Sequence, residues 1–425
     1  MAEKAGFAKI AFFVVCTAVG VKWLPDFYTR YGLDYPVDGW VAEGYEPVME
    51  AFKANFKNGL ETDGAAFSAY KDGKLIVDIW GGFADIEMQR PWKKDTMSVY
   101  YSSTKFVPAT AIAMLVDRKL LQYEDLVSKY WPEFAQNNKY NVTVGMVMCH
   151  ASGVSCTDRS LTADLIRDYA ALGRALAETH PAWPPGRGHG YHGLTLGSLA
   201  DQIVSRVDQQ HRNLSKFASD EIFKPLGIKD FRMGFDLNKY HRIARPVQRG
   251  FWQSWKISGY TLEYVTGFLK LMKQVVTPNS LMKRMMDNMP LFSNHYVFVN
   301  PEYSDLDISA ANGIGTAREL GLIASALGEE KLVSNKLIHD TVIGKAEPEE
   351  VDLVLGVPIT WSHGYFVDKL KSGDVTIGSP GSGGQMVRLN PKKRIAFGYI
   401  TNGLSMTLRD NRWRVLEDAI YSSLK

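Results

Sequence analysis

Apolar residues recur at helical spacing across Glu43–Phe56, where Val48, Met49, Phe52 and Phe56 share one face. Beyond it the pattern changes. Ala65–Tyr70 and Leu75–Trp80 read as strands, and Lys71-Asp72-Gly73-Lys74 between them predicts a hairpin turning on Asp-Gly. Phe106–Val116 is mostly apolar all round, which predicts a buried helix. From about 120 to 300 helical and loop signals dominate. Thr195–Val207 and Asn213–Phe223 predict helices, the second with Asn213 as its N-cap. Thr316–Leu327 predicts another. Strands return at Gln385–Leu389 and Ile395–Thr401, joined by a turn with charged exits at Asn390–Arg394, and Leu408–Tyr421 predicts a closing helix.

Strands therefore gather at both ends of the chain and helices fill its middle. Alternating βα units are absent, which argues against a parallel doubly wound sheet. The order predicts an α+β domain over 25–425, its antiparallel sheet built from both ends and covered by helices. A helical subdomain at about 120–300 is inserted between the sheet-forming parts.

The N-terminus breaks this pattern. Lys4 and Lys9 precede an uncharged apolar run, Ile10–Val21, closed by Lys22. The run is short for a membrane span and right for the apolar region of a signal peptide. No small-x-small cleavage site follows, so residues 1–24 are read as a signal peptide or a retained membrane anchor. A mitochondrial leader is the rival reading, though such leaders are rich in Arg and Ser and this one is not. Asn141-Val142-Thr143 and Asn213-Leu214-Ser215 fit the glycosylation sequon. Together these features predict a secretory-pathway protein, membrane-anchored or extracellular, with the mitochondrion as the alternative.

Charge and composition narrow the chemistry. A net charge of +3 with scattered Lys and Arg gives no nucleic-acid footprint. Three cysteines exclude a disulfide scaffold. Cys149 and Cys156 read as two small buried thiols, which could pair in an oxidising compartment. No C-x-x-C or H-E-x-x-H occurs, so neither a metal nor another cofactor is expected.

Ser-x-x-Lys, by contrast, begins at Ser68, Ser102, Ser280 and Ser422. Residues i and i+3 face together on a helix and apart on a strand. Ser68 lies in a predicted strand. Ser422 ends at the terminal Lys425. Ser280 opens a plausible helix with a solvated face of Lys283, Arg284 and Asp287. Ser102 opens an apolar helix, whose start offers free N–H groups and a positive dipole end. A serine hydroxyl is a poor nucleophile at neutral pH, and a desolvated Lys105 with a lowered pKa can take its proton. The bland alternative is an N-cap serine with a surface lysine.

Other segments bear on that choice. Tyr101-Ser102-Ser103-Thr104-Lys105-Phe106, Val147–Val154, Trp183-Pro184-Pro185-Gly186 with Gly190-Tyr191-His192, Asn312–Leu320 and Gly378–Gln385 resemble, in order, the motifs of the serine β-lactamase-like family. That family includes class C β-lactamases, penicillin-binding proteins, related esterases and animal β-lactamase-like proteins. The resemblance covers about 45–420 and is nearest to the esterase and animal branches. It implies an antiparallel sheet of five or more strands flanked by helices. It implies Ser102 as nucleophile, Lys105 as base and Tyr191 as proton relay to the leaving group. The N–H groups of Ser102 and Ser382 would form the oxyanion hole, in a strand where Gly381 lets a carbonyl approach.

Two positions depart from the family pattern. Ser379 stands where the third motif begins with Lys or His, and Gly193 where the second motif often carries Asn. Both replaced groups hold β-lactams, so the expected substrate is a small carboxylic ester, less an amide or peptide, cleaved through an acyl-enzyme. His192, beside Tyr191, is a candidate lining residue. His150 reads as packed structure, and the absence of Gly-x-Ser-x-Gly leaves a Ser-His-Asp elbow unsupported. The contrasting function class is a catalytically weak member with a membrane-tethered or self-assembling structural role. Oligomeric state is not legible.

Overall fold

The computed structural model describes residues 34–425 apart from 347, 408 and 425. The leader expected at 1–24 lies outside them. Eight strands form the main path of the sheet: β1 (Val37–Val41), β2 (Gly64–Lys71), β3 (Lys74–Asp85), β4 (Trp361–Ser362), β5 (Tyr365–Lys369), β6 (Val375–Pro380), β7 (Met386–Asn390) and β8 (Ile395–Thr401). Their spatial order is β1-β3-β2-β8-β7-β6-β5-β4, antiparallel throughout, with Arg90–Pro91 added on β3. The hairpin joining β2 and β3 turns on Asp72 and Gly73, both at positive φ, which glycine tolerates without strain. The two ends of the chain meet where Gly398 pairs with Ser68.

Seven helices bear on the site and its surroundings: α1 (Glu46–Lys57), α2 (Phe106–Asp117), α3 (Thr195–Val207), α4 (Leu262–Val276), α5 (Leu281–Asn288), α6 (Ala317–Gly328) and α7 (Asn411–Ser423). Adjacent residues on a strand point to opposite faces, and β8 displays this. Phe397 packs on Trp413 of α7, whereas a Cβ on Gly398 would lie 2.4 Å from the carbonyl of Ala317 on α6. Helices therefore cover both faces. Thr316 and Glu319 close a capping box at the start of α6.

The predicted helix at Asn213–Phe223 divides. Asn213 caps Leu214–Ala218 as expected, accepting from Lys216 N, and a π turn over Ser219–Phe223 completes it. The predominantly helical middle also contributes short strands, Arg232–Met233 and Val247–Gln248, to small separate sheets. Cys149 and Cys156 are both free thiols. No helix among the described residues is long and apolar enough to cross a membrane.

Candidate active site

Ser102 lies in a 3-10 turn, Tyr101–Lys105, immediately ahead of α2, rather than opening the α-helix itself as expected. The difference favours the pairing, because i and i+3 eclipse in a 3-10 turn. Tyr101 enters at φ +46°. Lys105, fully buried, lies with its Nζ 3.3 Å from Ser102 Oγ and 2.9 Å from Tyr191 Oη. The two hydroxyls are 2.6 Å apart.

Two further contacts define the lysine's chemistry. Nζ donates to Gly193 O at 2.7 Å and to Ala310 O at 2.9 Å. A neutral amine has two N–H bonds and one lone pair. With both N–H groups given to carbonyls, the lone pair is left for the hydroxyls of Ser102 and Tyr191. Burial without a carboxylate partner lowers the Lys105 pKa to about 7. Burial raises the Tyr191 phenol to about 12, so it remains a proton donor at neutral pH.

Tyr191 is held from behind. Asp352, fully buried, accepts from Tyr191 N at 3.0 Å and from Leu355 N at 2.8 Å. Its other oxygen accepts from Trp361 Nε1 at 3.3 Å and lies 3.2 Å from His189 Nδ1. The Trp361 ring stacks parallel to that of Tyr191, centroids 5.9 Å apart. Neither Asp352 nor Trp361 was found by sequence reasoning, since Asp352 lies in a loop and Trp361 in the two-residue strand β4, and neither is long enough to carry a periodic signal.

His192 corrects an expectation. It is fully buried, with Nε2 2.8 Å from Ser152 Oγ and Nδ1 2.6 Å from Gly190 O, so neither ring nitrogen is free to line the site. Its burial lowers its pKa to about 4. His150 accepts from His192 N at 3.0 Å and is structural, as its context suggested.

On the opposite side the end of β6 grips the serine turn. Ser103 Oγ donates to Ser379 O and Ser379 Oγ donates to Ser102 O, both at 2.8 Å. Ser379 is thus committed to the backbone of the turn, not to a substrate. A Cβ on Gly381 would sit 2.4 Å from Tyr100 O, so the approach requires glycine there. Ser382 follows on the exposed side, its Oγ 2.9 Å from His295 Nε2. His295, which no sequence signal marked, also packs edge-on to Tyr101 at 5.4 Å.

The other Ser-x-x-Lys copies are structural. Ser68 donates to Asp78, Ser280 caps α5 while Lys283 pairs with Asp287, and Ser422 donates to Ala419 O. Among the described residues no cluster of His, Cys, Asp or Glu is arranged to hold a metal.

Comparison with known proteins adds a history to this geometry. The family model described as Beta-lactamase matches residues 52–420. The chain belongs to the beta-lactamase family. Among curated proteins of this kind, Esterase/beta-lactamase LipL of Mycobacterium tuberculosis is 28% identical over 376 residues, covering 84% of this chain and 81% of its own. Esterase EstB of Burkholderia gladioli is 30% identical over 204 residues, 44% of this chain and 50% of that protein. Among solved structures, a family VIII carboxylesterase superposes with TM-score 0.77 at 27% identity, over 92% of this chain and all of that one. A penicillin-binding protein homologue from Caulobacter crescentus gives 0.74 at 28% identity, with the same coverage. As a beta-lactamase family member with such relatives, the protein is a β-lactamase-related serine hydrolase.

Proposed function

We propose that the protein hydrolyses small, neutral carboxylic esters through an acyl-enzyme on Ser102. One observation carries this reading: Lys105 Nζ lies 2.7 and 2.9 Å from Gly193 O and Ala310 O and 3.3 and 2.9 Å from the hydroxyls of Ser102 and Tyr191, so that as a neutral amine it gives its N–H bonds to the carbonyls and keeps its lone pair for the hydroxyls. In the first half-reaction Ser102 Oγ attacks the ester carbonyl carbon. Its proton passes to Lys105, directly or through Tyr191, and the carbonyl oxygen takes the charge between the N–H groups of Ser102 and Ser382. Collapse breaks the bond to the alcohol oxygen, which Tyr191 protonates as Lys105 returns the proton. Water then repeats the sequence on the acyl-serine, releasing the acid and restoring the hydroxyl.

Two features support a neutral substrate. Ser379 supplies no cation for a carboxylate, and its hydroxyl is already bonded to Ser102 O. At Gly193, the space a side chain would enter is filled by Met285, whose Sδ lies 2.9 Å from a Cβ built there. The surroundings on that side are therefore apolar. The names of the relatives, esterases among them, agree with this reading.

The test is direct. A fluorophosphonate probe should label Ser102, and the purified protein should cleave short-chain aryl esters with negligible turnover of a chromogenic cephalosporin. Efficient cephalosporin hydrolysis without esterase activity, or labelling at Ser103 or Ser280 with Ser102 untouched, would overturn the assignment. We further propose that residues 25–425 face the secretory lumen or the cell exterior. The exposure of both sequon asparagines, Asn141 and Asn213, supports this. Glycosidase treatment of protein made in eukaryotic cells should shift its mobility. An unshifted band that co-fractionates with mitochondria would reverse the placement.

A further inference from the structure

Helix α4 is apolar on two sides. Its inner side, through Tyr264 and Phe268, joins a ring cluster with Phe251 at centroid distances of 5.5 and 5.0 Å. A second apolar seam, Leu262, Val265, Leu269, Met272 and Val276, runs along the adjoining side at a spacing of three and four residues. Leu262, Leu269 and Val276 are 76, 61 and 70% exposed. Trp252 and Tyr260, just ahead of the helix, are 61 and 59% exposed and join the ring cluster through Trp255, at centroid distances of 5.7 and 5.4 Å. Soluble chains rarely present so continuous an apolar patch without an occupant.

The bordering charges say which occupant fits. At 100° per residue, Lys273 and Lys270 follow the seam along its outer border. Both are exposed, and neither forms an ion pair among the described residues. The one acidic residue of the helix, Glu263, is already neutralised by Arg409 at 2.7 Å. Two copies of this seam laid together would set lysine near lysine with no acidic partner, which disfavours self-pairing. An anionic lipid surface satisfies both halves of the pattern: acyl chains take the leucines and valine, headgroups take the lysines, and Trp252 and Tyr260 suit the interface.

We propose that the exposed seam of α4, with Trp252 and Tyr260, seats the enzyme on an anionic lipid bilayer without crossing it. The seat adjoins the chemistry. The next helix, α5, carries Met285 to Gly193, whose carbonyl holds Lys105. Docking and hydrolysis are nonetheless separable, and a Ser102→Ala chain should dock unchanged.

A polarity-sensitive fluorophore attached to full-length Leu269→Cys tests the proposal, with the unsubstituted chain, labelled identically, as background for its own thiols. On vesicles of three parts phosphatidylcholine to one part phosphatidylserine the emission should shift to the blue and be quenched by spin-labelled lipid. Attachment through residues 1–24 alone would leave a probe at 269 in water. Adding Lys270→Glu and Lys273→Glu should weaken the apparent lipid affinity at least about tenfold. An emission unchanged by vesicles overturns the proposal. So does a blue shift that grows with protein concentration in the absence of lipid, which would assign the seam to a second copy. Equal affinity in the charge-reversed chain would overturn the role of the lysines.

Discussion

At the scale of the residue, the decisive feature is a lysine placed to act as an amine rather than as a cation. With its pKa lowered to about 7 by burial, Lys105 has no lone pair to offer below that pH and a free one above it. Activity on a neutral ester should therefore rise about tenfold per unit approaching pH 7 and level off above it. Tyr191, at about 12, stays protonated across the plateau. A pH–rate profile of kcat/KM checks this, and a flat profile between pH 5 and 8 would remove Lys105 from the base role. Lys105→Ala should lower kcat by roughly 10²–10⁴-fold, the span of general acid–base catalysis, and probe labelling of Ser102 should fall with it. Ser102 and Lys105 were legible in sequence because their spacing has physical meaning on a helical turn. Tyr191 was legible through family resemblance. Asp352, Trp361 and His295 were not, because each reaches the site from a segment distant in sequence and too short to show a period, and only the folded chain brings it there.

At the scale of the element, the site is a clamp between a turn and a strand end. The reciprocal bonds of Ser103 and Ser379 fix the carbonyl of Ser102 while its side chain stays free to react. Ser379→Ala removes one of them and should cost about 1 kcal/mol of stability, with a fall in kcat and little change in KM. Ser379→Thr keeps a hydroxyl and should recover much of both. Thermal unfolding and steady-state kinetics read the two effects, and an alanine variant of unchanged kcat would show that the turn holds itself. The periodicity of the sequence located most of these elements within a few residues. It placed the start of α2 at Phe106, as observed, but did not separate from it the tighter 3-10 turn, Tyr101–Lys105, that carries Ser102. It also joined Leu214–Ala218 to the π turn after it, since both present the same apolar side.

At the scale of the whole molecule, the C-terminal segment braces the strand-end loop from behind. Arg412, fully buried, donates to Gly383 O at 2.6 Å and to Gly403 O at 2.7 Å, and pairs with Asp410 and Glu61. Burial pushes Glu61 up to about 8 despite the arginine. Arg412→Met would leave buried carboxyl groups unpaired and should destabilise the protein by about 3–5 kcal/mol, with loss of esterase activity as Gly381–Gly384 loosens. Urea unfolding at pH 7 measures it, and a loss below 1 kcal/mol would mean the network relaxes without its centre. Nothing in the sequence signalled this brace, because an arginine in a terminal helix that also carries Arg414, Glu417 and Asp418 reads as one more solvated charge.

The pairing of β2 with β8 has a consequence for how the protein comes into being. Thr401 donates its hydroxyl hydrogen to Gly64 O across 337 positions of sequence, so a ribosome exposes one edge long before it makes the other. Until β8 emerges, the β2–β3 hairpin waits with an open edge, in the regime where slow, non-local pairing invites aggregation. The turn bearing Ser102 waits too, lacking the β6 backbone that grips it. A nascent chain stalled before residue 375 should therefore bind chaperones and resist serine-directed probes, which would keep a reactive hydroxyl silent until translation is nearly done.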